Sequence, residues 1–138
     1  MKKTKIGKID YSALNHKPEP HEIETAKYFT KLGLDVLFIK SSNIKGSHNA
    51  DFQMFGKTWE TKSPITYSDS SFEDNIKKAE KQSKYIIFDL RRLNGKNETK
   101  YIKELMKRSR SNKIKILLVI NKNNELLTFK GNLDKIKT

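Results

Sequence analysis

Residues 52 to 62, FQMFGKTWETK, alternate apolar and polar side chains and are interrupted once, by a glycine. Few features restrict a chain more. Period-two alternation marks a strand with one covered face, and a Gly-X pair between two such runs closes an antiparallel hairpin. With Gly56 and Lys57 as the two turn residues, Phe55 faces Thr58, Met54 faces Trp59, Gln53 faces Glu60, and Asp51 faces Lys62. Side chains alternate sides along a strand, so Phe52, Met54, Trp59 and Thr61 share one face while Asp51, Gln53, Glu60 and Lys62 share the other. Two carboxylates and an ammonium thereby converge on the face expected to be wet. The solvated face of any antiparallel hairpin also carries mixed charge, so the hairpin alone leaves a shared site and an ordinary surface equally open.

The flanking segments place this hairpin in an α/β frame. In KPEPHEIETAKYFTKLGLD, Pro18 and Pro20 stand at a helix entrance, acids fill the first turn, and Gly33 supplies the stop. LDVLFIK reads as a buried strand, and SSNIKGSHN as a polar connector leading into the hairpin. SDSSFEDNIKKAEKQS is a second helix, with Ser70 and Glu73, or Ser71 and Asp74, at capping-box spacing and Phe72, Ile76 and Ala79 as its apolar stripe. KYIIFDL is a strand. NETKYIKELMKRSRS is a third helix with Tyr101, Ile102, Leu105 and Met106 inward, and KIKILLVIN and ELLTFKG are two closing strands. The expected order is αβββαβαββ, a mixed-sheet α/β sandwich. Residues 1–17 are polar and basic and read as a loose arm, with residues 18–138 as a single domain, since 138 residues suffice for one real core and not comfortably for two.

Helical phase separates two acids of the first helix. At about 100° per residue from Glu22, Ala26 lies near 40° and Phe29 near 340°, whereas Glu24 falls near 200°. Glu24 is therefore expected in solvent, and Glu22 on the core-facing side, where a carboxylate needs a cation or a hydrogen-bond donor to answer it. A first-turn acid is also favoured simply by the helix macrodipole.

Lys and Arg number 29 against 16 Asp and Glu, a formal charge of +13. Such a balance favours polyanions, nucleic acid first among them. The absence of cysteine excludes disulfides and thiolate metal sites. No apolar run approaches the roughly 18 residues of a membrane span, and the opening MKKTKIGKID has lysines without the apolar stretch of a secretory signal. The expectation is a soluble chain without its own export signal.

An acid on the first helix, then Asp51, then ETK at Glu60 to Lys62 resembles the PD-(D/E)xK nuclease superfamily, whose restriction-endonuclease-like core has the αβββαβ order. Within it, PHEIETAKYFTKLGLDVLFI, ADFQMFGKTWETKSP and IKKAEKQSKYIIFDLRRLNG look most like the C-terminal toxin domains of contact-dependent growth inhibition systems, the branch associated with transfer-RNA cleavage. The likeness covers about residues 18 to 95. Ala50 stands where the superfamily name has proline.

The resemblance implies a metal-dependent endonuclease. Asp51 and Glu60 would hold Mg²⁺ or Mn²⁺, with Glu22 completing or bracing the shell, because hard cations prefer carboxylate oxygens. Lys62 would orient and deprotonate the attacking water or stabilise charge on phosphate. Gln82, on the flank of the second helix with Asn75 and Lys78, would hold the water or a base. Ser41, Ser42, Lys45, Ser47 and His48 of the connector, with Lys78, would grip the nucleic acid. Transfer RNA is the implied substrate, an acidic immunity protein the implied partner, and the cytoplasm, of a target cell if the chain is a delivered toxin, the implied place of action. Two other readings stay open on the residues alone: a DNA-directed nuclease of the same superfamily, of resolvase or repair type, and a non-catalytic basic module that binds nucleic acid.

Overall fold

The computed structural model describes residues 6–40 and 51–131. Its strands are β1 (Ile9–Asp10), β2 (Val36–Phe38), β3 (Phe52–Met54), β4 (Lys57–Lys62), β5 (Tyr85–Asp89), β6 (Ile116–Ile120) and β7 (Leu126–Lys130), and its helices α1 (Pro20–Lys31), α2 (Asp69–Gln82) and α3 (Glu98–Arg108). The seven strands form one sheet in chain order. β1–β2, β4–β5 and β5–β6 run parallel, and the remaining neighbours antiparallel. The expected elements are all present. One strand is added, because part of the expected loose arm joins the sheet: Ile9 and Asp10 pair with Val36 and Leu37. Gly7 makes that approach possible. Its N–H donates to the Thr30 carbonyl at 2.8 Å, and a Cβ there would lie 1.8 Å from the Leu34 carbonyl oxygen.

Two apolar layers sandwich the sheet. On one face Ala26 and Phe29 of α1 pack with Phe38, Phe52, Trp59, Ile87 and Leu118. On the other, Phe72, Ile76 and Ala79 of α2 and Tyr101 and Leu105 of α3 pack with Ile86, Phe88, Leu117 and Val119. β5 and β6 are thus covered on both sides, which is why they read as continuous apolar runs. Arg108 ties the two helices of the second layer together, its Nη1 donating to both Glu73 carboxylate oxygens at 3.1 and 3.2 Å and its Nη2 to Glu80 at 3.4 Å.

Four local expectations are corrected. The hairpin turns on Phe55 and Gly56, both at positive φ (58° and 72°) as in a type I′ turn, not on Gly56 and Lys57. Pairing therefore slips by two residues, to Phe52 with Trp59, Gln53 with Thr58 and Met54 with Lys57. Because the slip is even, the facial assignment survives it. The cap of α2 lies two or three residues before the expected Ser70 or Ser71: Ser68 is the N-cap and accepts from the Ser71 N–H at 3.1 Å, with Ser71 completing the box. Met106 is 52 % exposed, since it lies about 140° around the helix from Tyr101. β2 alternates buried, exposed, buried rather than being covered on both faces, because no helix among the described residues covers Leu37, which is 38 % exposed.

Candidate functional site

The centre of interest is β4, the middle strand of the sheet. Glu60 pairs with Ile86 and Lys62 with Phe88; neighbours in register point to the same side, so both charged residues lie on the face that α2 and α3 cover. Here the expectation of a wet face fails. β4 is an interior strand, and Glu60 is only 5 % exposed.

Its two carboxylate oxygens have different fates. Oε2 meets the Lys62 ammonium at 3.2 Å, while Oε1 is buried with no hydrogen-bond partner among the described residues. Asp51, immediately before β3, lies beside the residues on either side of Glu60 in β4. Its N–H donates to the Trp59 carbonyl at 2.8 Å, and its Oδ2 accepts from the Thr61 N–H and hydroxyl at 2.8 and 2.9 Å. Burial, and then the Asp51 carboxylate, push the Glu60 pKa up to about 8, with Lys62 pulling the other way. A hydrogen bond shared with Asp51 also favours the protonated form, so the carboxyl tends to hold its proton into the neutral range.

Glu22 is not brought to this pair. As expected from its phase it is half-buried on α1 while Glu24 is exposed, but its Oε1 accepts from the Glu19 N–H at 2.9 Å and closes a capping box on its own helix. Among the described residues no three His, Cys, Asp or Glu side chains are grouped so as to hold one ion. The donor on offer is thus a pair, Asp51 and Glu60. A pair fits Mg²⁺ or Mn²⁺ well, since Mg²⁺ commonly keeps several waters and takes one or two carboxylates, and a cation would answer the orphaned Oε1. Since glutamine at this helix position can also accept from the cap N–H, Glu22→Gln should leave both melting temperature and activity near wild type, whereas Glu22→Ala should cost about 1 kcal/mol of stability. Paired thermal melts and rate assays check this.

Gln82 is the last residue of α2 and lines a shallow depression with Thr58, Ser83 and Tyr85, at the Thr58 end of β4 rather than the Lys62 end. Ser83 secures that end by donating to the Thr58 carbonyl at 2.7 Å. Lys78 is exposed on α2. Ser41, Ser42, Lys45, Ser47 and His48 lie outside the described residues.

A second polar cluster was not foreseen. Asp89, 3 % exposed at the end of β5, accepts from Arg91 Nη2 at 2.7 Å, from Arg91 Nε at 2.9 Å and from the Thr25 hydroxyl at 2.7 Å. Burial works against its charge, but the Arg91 and Thr25 hydrogen bonds outweigh it and hold its pKa below the usual range. Arg91 also donates to the Glu24 carbonyl at 3.0 Å and lies over the Tyr28 ring, so the cluster pins α1 to β5. The sequence signal was an acid ending an apolar strand with two arginines following, IIFDLRR.

One mixed seven-stranded sheet with helices packed on both faces defines an α/β domain. Residues 48–126 match the family described as the contact-dependent growth inhibition CdiA C-terminal domain, and the chain belongs to that family of toxin domains. In fold it is similar to a solved structure described as a CdiA-CT/CdiI toxin and immunity complex from Burkholderia pseudomallei, with a TM-score of 0.63 and 16 % identity over 91 % of this chain and 100 % of that chain. Identity that low makes the likeness one of fold. Among curated proteins, none matches the chain. No helix among the described residues is long and apolar enough to cross a membrane.

Proposed function

We propose that the domain is a metal-dependent endonuclease of PD-(D/E)xK type acting as a growth-inhibiting toxin, with transfer RNA as its substrate. The observation that carries this reading is the Glu60 carboxyl, buried with Oε1 unanswered, beside Asp51 and in contact with Lys62. A structural ion pair has no use for an orphaned oxygen. A cation-binding pair does.

Phosphodiester hydrolysis needs an activated water and a means of carrying charge on the phosphoryl oxygens. A divalent cation held by Asp51 and Glu60 supplies Lewis-acid polarisation and lowers the pKa of water. Asp51, whose carboxylate is fixed by the Thr61 N–H and hydroxyl, and Glu60 would be the two carboxylates that hold such a cation. Lys62, beside Glu60 at 3.2 Å, would orient the attacking water or stabilise charge on the phosphate. The net charge of +13 supports a polyanionic substrate. It also supports an acidic immunity partner, whose association rate should fall as salt screens long-range steering.

Incubating the purified domain with total RNA, isolated transfer RNA, duplex DNA and branched DNA, with Mg²⁺, Mn²⁺ or EDTA, tests the reading. Discrete metal-dependent cleavage of transfer RNA is expected. DNA cleavage with RNA intact would transfer the assignment to a DNA-directed nuclease, and binding without cleavage to a nucleic-acid-binding module.

A further inference from the structure

Beyond Lys62 the chain enters a small cleft at the C-terminal ends of β4 and β5, lined by His21, Glu24, Ser63, Asp89, Arg91 and Arg92 and about 190 Å³ in volume. We infer that this cleft is a phosphate subsite, taking a backbone phosphate of the polynucleotide strand that passes the Lys62 end of β4; the inference rests on the nuclease reading above. At roughly 30 Å³ of liquid volume per water, the cleft accommodates a tetrahedral oxyanion. Its chemistry is cationic once internal pairs are counted. Asp89 is spent on Arg91 and Thr25, and Glu24 reaches Lys27 at 3.6 Å with most of its side chain in solvent. Arg92 is left without a carboxylate partner among the described residues. Two of its guanidinium nitrogens, Nε and Nη2, donate to the Ser63 carbonyl at 3.2 and 2.8 Å, which fixes the plane of the group.

The remaining Nη1 groups of Arg91 and Arg92 have no acceptor among the described residues. Two guanidinium groups whose planes are already fixed by carboxylate or carbonyl, and which retain unused N–H donors, suit phosphate recognition because little side-chain entropy is left to lose. His21, in the first turn of α1, brings a ring N–H, and Ser63 a hydroxyl. Location supplies the remaining argument. Ser63 directly follows Lys62, about 3.8 Å away along the backbone, and alternates to the α1-covered face, so the cleft and the lysine lie on opposite faces but at the same C-terminal end of the sheet, where ligands of α/β folds generally bind. A strand that crosses this end of the sheet from one face to the other can therefore present one phosphate to Lys62 and another to the cleft.

The test uses two readouts on the intact domain. Inorganic phosphate is titrated while backbone amide resonances are followed, and polynucleotide affinity is measured against salt in the Glu60→Gln background, where cleavage is not a complication. Phosphate is expected to shift His21, Ser63 and Arg92. Arg92→Ala should abolish those shifts, weaken polynucleotide binding about 3- to 10-fold, and lower the salt slope by about one. Arg92→Gln, which keeps a donor for the Ser63 carbonyl, should lose binding with an unchanged melting temperature, and His21→Ala should give a smaller loss in the same direction. Phosphate shifts confined to other residues, or an unchanged salt slope in both Arg92 variants, would overturn the inference. If no nucleic acid is cleaved by the wild type, the phosphate titration still decides the cleft; if RNA is cleaved while the cleft ignores phosphate, the subsite alone is lost.

Discussion

Glu60→Gln and Lys62→Ala are each expected to lower the cleavage rate at least 100-fold while leaving the fold intact. The size follows from the assigned roles: removing a group that moves or orients a proton typically costs 10²- to 10⁴-fold, and removing a carboxylate ligand removes the Lewis acid as well. The intact fold follows from protonation. Glu60 is largely neutral below its pKa of about 8, so an amide of the same shape replaces a carboxyl that already carries little charge. Rates should be compared at saturating metal, with circular dichroism melts of both variants. Either variant retaining more than a tenth of wild-type activity would remove that residue from the mechanism.

Stability of the metal-free domain should fall as pH rises from about 4.5 to about 8, with a slope approaching 1.4 kcal/mol per pH unit in the middle of that window. The sign comes from comparing the two states. In the unfolded chain Glu60 loses its proton near 4.5, while in the fold it keeps it to about 8. Between those values the native state holds the extra proton, so each increment of pH favours unfolding; above the window both states are ionised and the contribution is flat. Glu60→Gln should remove this component, and saturating Mg²⁺ or Mn²⁺ should suppress it, because the cation takes the place of the proton. Proton release on metal binding, read by calorimetry in buffers of different ionisation enthalpy, checks the exchange directly. A slope unchanged by both the substitution and the metal would mean that Glu60 is not the titrating group.

The two levels of structure were not equally legible in the sequence. Hydrophobic period and turn residues located every long element, because burial of one face is what they encode. The even slip of the hairpin left Glu60 and Lys62 on one face as expected, while Asp51, just ahead of β3, turns its carboxylate to Thr61. What periodicity could not convey was the neighbour of β4. An alternating strand is equally compatible with an open face or with a helix laid across it, and only tertiary packing buried Glu60. Glu22 shows the opposite limit: its phase on α1 was right, yet the nearest unmet donor was the Glu19 N–H of its own helix, a local partner that outcompeted a distant one. The Asp89–Arg91 pair escaped notice because its meaning lies in Thr25, 64 residues away.

Strand order equal to chain order also bears on how the molecule comes into being. Each strand pairs with the strand that precedes it in the chain; β3 and β4 are joined by a two-residue turn, and β1–β2, β4–β5 and β5–β6 by crossovers that each contain one α-helix. Since the cost of loop closure sets much of the barrier for sheet proteins, pairing only between strands that are consecutive in the chain keeps that cost low, and β4 with its acid and lysine needs only β3 and β5, its neighbours in sequence, to be held in the sheet.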